Sequence, residues 1–127
     1  MKLRIRDNTL RLRLSVSEVA QASEAGLVKA AIRFPAGGRL EYVVESTPAS
    51  VAPSAMFDEG RVLVRLPESA VREWADSEQV GIRAEQPLDD GSVLTILVEK
   101  DFACLSPREG EDESDMFDHP EAGSPQC

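Results

Sequence analysis

Apolar and polar residues alternate along most of this chain, which is the pattern of strands that bury one face. At its start the apolar positions are Leu3, Ile5, Leu10, Leu12 and Leu14. Asp7 and Asn8 separate the two runs and tolerate the positive φ of a two-residue turn, so the sequence predicts a β-hairpin. Its register would pair Ile5 with Leu10, Leu3 with Leu12, Arg4 with Arg11 and Lys2 with Arg13.

Two short amphipathic helices are predicted between the strands. The first has Ser15 and Ser17 as N-cap residues and ends at Gly26. Its apolar stripe would consist of Val16, Val19, Ala20 and Ser23. Pro67 begins the second helix, where a missing N–H costs nothing. That helix would continue through Val71, Trp74, Ala75 and Glu78, with Trp74 facing the core.

The hydrophobic pattern is similar in the two halves of the chain. Leu10 to Pro35 aligns in phase with Val62 to Pro87. One inserted residue in the second turn then aligns Leu40, Tyr42 and Val44 with Val93, Thr95 and Leu97. The sequence therefore predicts two βαββ repeats, at about residues 1–46 and 60–100, joined by a connector from Thr47 to Glu59.

Each repeat has one apolar face, which its twin would cover. The predicted fold is a single α+β domain over residues 1–105 with pseudo-twofold symmetry. Its strands would form a mainly antiparallel sheet or a small barrel. A chain of 127 residues with 42% hydrophobic content fits one domain with a modest core.

Charge is distributed unevenly along the chain. Residues 1–100 carry 13 Lys/Arg and 15 Asp/Glu, whereas residues 101–127 carry one Arg and eight Asp/Glu. The net charge of −9 is thus concentrated in the last part of the chain. No apolar run approaches membrane-spanning length and the start is charged, so the sequence predicts a cytoplasmic protein without membrane contact.

The predicted first hairpin carries a ladder of cations on its polar face. Its members are Lys2, Arg4, Arg6, Arg11 and Arg13, with Asp7 as the single acid among them. Like charges opposite each other across a ladder are destabilising, so the ladder suggests an anionic partner. The alternative is a solvated surface on which the long side chains extend into water.

Residues 106–127 predict an acidic, flexible tail, because they combine acids with Pro, Gly and Ser. Within the tail, Asp115 and Asp118 flank an apolar pair, Met116 and Phe117. A motif of this kind is typical of a segment that folds on a basic groove, here the protein's own basic ladder or a partner. The alternative is a solubilising tail in which Phe117 packs against nothing.

Residues with catalytic or metal-binding chemistry are sparse. The single histidine is His119, and its spacing from Cys104 and Cys127 matches no compact zinc pattern. An enzyme would need a cleft between the repeats, with carboxylates such as Glu41 and Glu45 or Glu85 and Glu99. These carboxylates are more simply explained as a solvated strand face, so the sequence predicts no catalytic residue, metal site or cofactor.

Three stretches carry a resemblance to a known family. They are Lys2-Leu3-Arg4-Ile5-Arg6, Leu10-Arg11-Leu12-Arg13-Leu14, and Val98-Glu99-Lys100-Asp101-Phe102 with Cys104-Leu105. Through them nearly the whole chain resembles a family of small uncharacterised bacterial proteins that carry a domain of unknown function. That resemblance implies no activity.

Two further stretches, each before a predicted helix, resemble the swapped-hairpin modules of AbrB/MazE-like regulators and antitoxins. They are Arg6 to Leu14 and Gly60 to Pro67. The resemblance implies a barrel of exchanged hairpins, a basic hairpin that binds DNA and, in antitoxins, an acidic tail that covers a toxin. Leu63 stands where the first hairpin has Arg11, and the second unit lacks a basic first strand.

The sequence thus leads to three functional hypotheses. The first is a non-enzymatic interaction protein that offers the basic ladder to an anionic partner or to its own tail. The second is an AbrB/MazE-like DNA-binding regulator or antitoxin, which the net charge of −9 disfavours. The third is a domain that binds or converts a small ligand in a cleft between the repeats.

Overall fold

A computed structural model describes residues 1–102 and 114–118 of the chain. The described residues form eight strands and two helices. The strands are β1 (Lys2–Arg6), β2 (Thr9–Leu14), β3 (Leu27–Arg33), β4 (Arg39–Thr47), β5 (Ser54–Asp58), β6 (Arg61–Pro67), β7 (Gly81–Pro87) and β8 (Val93–Lys100). The helices are α1 (Val16–Glu24) and α2 (Glu68–Ala75).

The strands form two four-stranded sheets by exchange of hairpins. Sheet A has the order β1-β2-β8-β7, and sheet B has the order β5-β6-β4-β3. Each sheet therefore takes its first hairpin from one half of the chain and its second hairpin from the other. The two central pairs, β2 with β8 and β4 with β6, are parallel, whereas the outer pairs are antiparallel. The α+β class is confirmed, but the sheets are mixed and do not close into a barrel.

The first hairpin has the register that its sequence predicts. Lys2 pairs with Arg13, Leu3 with Leu12, Arg4 with Arg11 and Ile5 with Leu10. Asp7 occupies the turn with a φ of 48°, in the left-handed region that a short turn requires. The basic residues therefore lie on one face of sheet A, opposite the leucines that enter the core.

Both helices lie close to their predicted positions. Ser15 caps α1 and forms a capping box with Glu18, and Gly26 follows the helix with a φ of 77°. Helix α2 begins directly after Pro67. Val71 and Trp74 are buried as predicted, but Glu78 lies beyond the end of the helix.

The predicted apolar stripe of α1 is partly wrong. The structure buries Val19 and Ala22, whereas Val16 and Ala20 are exposed. Residues three positions apart on a helix share a face, as Val19 and Ala22 do, whereas adjacent residues such as Val19 and Ala20 do not. Ala22 therefore takes the core position that the sequence pattern gave to Ala20.

The connector between the halves contains a strand that the sequence pattern did not predict. Strand β5 occupies Ser54–Asp58, within the segment expected to be an irregular link. It is an edge strand of five residues that pairs with β6 alone. Each half of the chain consequently has the order ββαββ instead of βαββ.

The predicted alignment of the last strands is displaced. In the structure the pair Val28 and Val44 occupies the position in sheet B that Ile82 and Val98 occupy in sheet A. The alignment instead matched Val44 with Leu97, which faces away from the core. From the start of its helix to the start of the next strand, the second half has two more residues than the first half, and its hairpin turn has no inserted residue. The predicted alignment inserted only one residue, and a shift of one residue exchanges the two faces of a strand.

The core lies between the two sheets, and both helices close one end of it. Its fully buried side chains include Leu12, Leu14, Leu66, Trp74 and Val98. The indole Nε1 of Trp74 donates a hydrogen bond to the carbonyl oxygen of Val80 at 3.1 Å, which satisfies the one polar atom that this side chain brings into the core.

We expect Gly26→Ala to destabilise the fold by about 1–2 kcal/mol, because alanine is strained at positive φ. A Cβ at this position would also lie 3.2 Å from the carbonyl oxygen of Ser46. Gly37→Ala is the matched control, since Gly37 has a φ of 83° and a Cβ added there would meet no atom within 4 Å. Urea unfolding of both variants measures the effect. An equal loss in both would show that the close approach to Ser46 contributes nothing.

Candidate functional site

The outer face of sheet A collects the predicted basic residues. We call this surface the basic face, and it consists of Lys2, Arg4, Arg6, Arg11, Arg13 and Arg83. The register places Arg4, Arg11, Leu97 and Arg83 in one row across the four strands. Two carboxylates, Glu85 and Glu99, lie on the same face, so cations outnumber acids there by six to two.

Ion pairs neutralise only part of the basic face. Arg11 and Arg13 share one carboxylate oxygen of Glu99, at 2.9 and 4.0 Å. Lys2 contacts Asp101 at 3.0 Å, just beyond the end of β8. Within residues 1–102 and 114–118, Arg4 and Arg6 form no ion pair, and both are exposed. The edge strand β1 thus presents two unneutralised guanidinium groups to solvent.

A shallow cleft of about 420 Å³ lies on the basic face. Four arginines and one acid, Asp7, surround it, and the hydroxyl side chains of Thr9 and Thr95 contribute to its lining. The arginines are Arg4, Arg6, Arg11 and Arg83. Arginine side chains present several donors in a planar fork that matches the oxygens of phosphate and carboxylate groups. The cleft is therefore suited to an anionic group.

Arg83 is the member of the basic face that sequence reasoning missed. It lies on β7, far from the first hairpin in sequence, and contacts Glu85 at 3.2 Å. Only the pairing of β2 with β8 and of β8 with β7 brings it into the row of Arg4 and Arg11. No local pattern in the sequence signals this neighbourhood.

The outer face of sheet B occupies the corresponding position and is also only partly paired. Arg39 and Arg61 both contact Glu41, the latter at 3.5 Å, and Arg65 contacts Glu45 at 3.4 Å. Hydrogen bonding from Arg39 lowers the pKa of Glu41 below its ordinary value. Within the described residues, Lys29 and Arg33 on the edge strand β3 form no ion pair, and Arg33 lies directly opposite Arg39.

The tail motif binds to the start of helix α1. The carbonyl oxygen of Asp115 accepts a hydrogen bond from the backbone N–H of Val16 at 3.0 Å. Its carboxylate accepts hydrogen bonds from the backbone N–H of Ser17, at 3.1 Å, and from the Ser17 hydroxyl. These bonds satisfy backbone donors that the first turn of a helix leaves free, at the end where the helix dipole favours a negative charge.

Phe117 anchors the same motif to the end of sheet A. Its backbone N–H donates to the carbonyl oxygen of Asp101 at 2.8 Å, and its ring lies 5.8 Å from the Phe102 ring. The Nζ of Lys100 lies 5.4 Å from the centre of the Phe117 ring and donates to the carbonyl oxygen of Ser77 at 2.7 Å. Burial lowers the pKa of Lys100 below its ordinary value.

The motif therefore does not lie on the basic face. Of its four residues, Met116 and Phe117 are half-buried, whereas Asp115 and Asp118 are exposed. In residues 114–118 no carboxylate forms an ion pair with a cation of the basic face. The other tail residues, 106–113 and 119–127, lie outside the described residues.

The structure does not gather the carboxylates expected for an enzyme between the halves. Glu41 and Glu45 lie on the outer face of sheet B, and Glu85 and Glu99 lie on the outer face of sheet A. Each of the four contacts an arginine. The two pairs of carboxylates therefore lie on the outer faces of two different sheets.

Metal binding by His119 with Cys104 and Cys127 falls outside the described residues. Among the residues that the structure describes, no group of three or more His, Cys, Asp or Glu side chains is placed to hold a metal ion. Neither described helix has the length and apolar character needed to cross a membrane.

We expect the Asp115 contact to depend on pH. Hydrogen bonds from the Ser17 hydroxyl and the Ser17 N–H lower the pKa of Asp115 below its ordinary value of 3.8. The contact is therefore fully formed when the pH is above the ordinary pKa of an aspartate. It is lost as the pH falls through the lowered pKa of Asp115 in the folded protein. The NMR shift of the Ser17 amide, followed during acidification, should report the transition, and Asp115→Asn should abolish it.

The core amide of Val64 serves as a control for global unfolding during the same titration. A Ser17 amide that titrates equally in Asp115→Asn would show that another group causes the change. Glu18 is the nearby candidate: burial raises its pKa, but bonds from the Met1 amino group and from Ser15 outweigh that effect and give a net lowering.

We expect Phe117→Ala to lower the free energy of unfolding by about 1–2 kcal/mol, since the ring packs against the core and against Phe102 and Lys100. The loss stays below that of a fully buried phenylalanine because the side chain is half-buried. Met116→Ala is the matched control, with an expected change of about 0.5 kcal/mol or less. Urea unfolding measures both, and equal effects would contradict the anchoring role of Phe117.

The comparisons with known proteins agree with the first resemblance. No curated protein matches the chain, and no solved structure matches it. One family model does match, and it covers residues 1–121, which include the basic face, both helices and the tail motif. The chain therefore belongs to the family of unknown function DUF7009.

Proposed function

We propose that this chain is a non-enzymatic, cytoplasmic interaction protein that binds an anionic partner through the basic face of sheet A. The partner would lie across β1 and β2 and engage the cleft between Arg4, Arg6, Arg11 and Arg83. Its negative charges would replace the carboxylates that this face lacks. Binding would be electrostatic and would weaken as salt concentration rises.

The observation that carries the proposal is the unneutralised pair Arg4 and Arg6. Arg4 lies directly opposite Arg11 in the hairpin, so the isolated protein holds like charges together. Such a pair destabilises a strand ladder by a few tenths of a kcal/mol or more. A bound anion would remove this repulsion and would gain charge-assisted hydrogen bonds.

The position of the tail motif favours a partner over the protein's own tail. Asp115 accepts hydrogen bonds from the start of helix α1, and the ring of Phe117 contacts Lys100 and Phe102. In this arrangement the described part of the tail leaves the basic face accessible. The surface that the partner needs is therefore open in the described structure.

A second candidate is a DNA-binding regulator or antitoxin of the AbrB/MazE-like kind. The exchange of hairpins between the two halves favours it, although the two sheets do not close into the barrel that the resemblance implies. We infer that the chain would be a duplicated unit in which only one copy keeps the basic hairpin. Strand β5 carries Ser54, Met56 and Asp58 where β1 carries Lys2, Arg4 and Arg6.

The experiment measures heparin and duplex DNA binding by the full chain over a series of salt concentrations. We expect Arg4→Ala with Arg6→Ala to weaken binding at low salt and to reduce the slope of log affinity against log salt by about 2, one unit for each lost contact. Both residues are exposed and, within the described part of the chain, free of ion pairs, so their removal should leave the fold unchanged.

Lys29→Ala with Arg33→Ala is the matched control. These residues lie on β3, the edge strand of sheet B, and are exposed on its outer face. The control changes the net charge equally and should leave binding almost unchanged. An equal loss of affinity in both variants would show that only the net charge matters and would contradict the proposal. A full chain that binds neither heparin nor duplex DNA would also contradict it. Preference for duplex DNA over heparin would favour the second candidate.

A further inference from the structure

The end of the molecule opposite the helices is an apolar opening between the two sheets. Strands β2 and β6 run into α1 and α2, so their first residues lie at the far end, and the parallel partners β8 and β4 begin there too. All four hairpin turns consequently gather at this end. Helices cover the core at one end, but no described residue closes it at the other.

A groove of about 340 Å³ occupies this end. The first inward residue of each central strand lines it, namely Leu10, Leu40, Val62 and Leu94. Ile5 and Phe57 stand at its rim and are 65% and 67% exposed, although both are large apolar side chains. Contiguous exposed apolar surface on a small protein marks an interaction site.

The exposed apolar residues are concentrated at this end. Of the ten large apolar side chains that the described residues expose, seven lie on the hairpin turns or on the strand ends and edge strands beside them. Ile5 and Phe57 hold corresponding positions in β1 and β5, so the opening has a similar apolar residue on each side. Three of the seven, Ile5, Met56 and Phe57, line the groove, which therefore takes exposed apolar residues from both halves of the chain.

The turns at this end of the molecule are acidic, and Asp7 among them lines the groove. The turn segments 7–8, 34–38, 59–60 and 88–92 contain Asp7, Glu59, Asp89 and Asp90, and they contain no Lys or Arg. Arg6, Arg33, Arg39 and Arg61 lie at the neighbouring strand ends, but the register places them on the outer faces of the sheets. An occupant of the groove thus meets an apolar floor and acidic turns.

These charges exclude two occupants. A second copy of the chain, docked end to end, would bring two sets of acidic turns together. The tail residues outside the described part, 103–113 and 119–127, are also acidic, and Leu105 is their one large aliphatic or aromatic side chain. Neither the copy nor the tail combines an apolar face with positive charge.

We propose that the groove binds a basic amphipathic helix of a partner protein. The apolar face of the helix enters between Ile5 and Phe57, and its Lys and Arg side chains reach Asp7, Glu59 and the Asp89-Asp90 turn. This is the helix-in-groove mode of recognition. The groove adjoins the cleft of the basic face, with which it shares Asp7 and Thr9, and it takes a partner of opposite charge.

The test uses a fluorescently labelled helical peptide of Leu and Lys at amphipathic spacing and the full chain. Control peptides have the same composition in scrambled order, or Glu in place of Lys. We expect fluorescence anisotropy to show binding of the Leu/Lys helix alone. Ile5→Ser with Phe57→Ser should weaken it at least about tenfold, because both side chains lose their apolar contact. Val51→Ser, at a position 97% exposed on the loop before β5, should leave it unchanged.

A charge variant tests the turns separately. Asp7→Asn with Glu59→Gln keeps side-chain size and should reduce both the affinity and its salt dependence. Circular dichroism and thermal melting establish that each variant folds. Equal binding of the scrambled or Leu/Glu peptide would overturn the proposal, as would an equal loss in Val51→Ser. Concentration-dependent dimerisation in sedimentation that Phe57→Ser abolishes would also overturn it, because it would assign the groove to a second copy.

Discussion

The structure depends on the two parallel pairings at the centre of its sheets, β2 with β8 and β4 with β6. Each joins the first hairpin of one half to the second hairpin of the other. A hairpin alone is marginal in water, whereas four strands with a common apolar face can bury a core. The two halves are thus linked by their own backbone hydrogen bonds, and the site on sheet A exists only because residues from both halves meet there.

The topology is the same in both sheets, but their outer faces differ in charge. In sheet B, Glu41 and Glu45 pair with three of the five cations on the outer face. In sheet A the first hairpin stacks its cations against each other and shares Glu99 between two of them. Sheet A thus has six cations to two carboxylates on its outer face, and sheet B has five to three. The larger excess of cations on sheet A is the argument for the proposed binding role.

The parts of the fold that depend on neighbours in sequence could be predicted. The hairpin register of Arg4 and Arg11 follows from the turn at Asp7 and from alternation, and the start of α1 follows from Ser15 and Glu18. Strand β5 could not, because Met56 and Phe57 are both apolar and break the alternation, and Pro53 stands directly before the strand. The row that includes Arg83 and the contacts of Phe117 depend on pairings between distant segments, and no local periodicity encodes them.

The exchange of hairpins also sets the order in which the protein can be completed as it is made. Asn8, in the first turn, donates a hydrogen bond to the carbonyl oxygen of Val93, 85 residues later. Closing so long a loop is slow, because its entropy is lost before the distant contacts form. The ribosome must therefore synthesise the chain as far as β8 before the first hairpin can form the parallel pairing of β2 with β8. Until then the arginines of β1 and the leucines of β2 are both exposed, and the nascent chain relies on its charge to remain free of other chains.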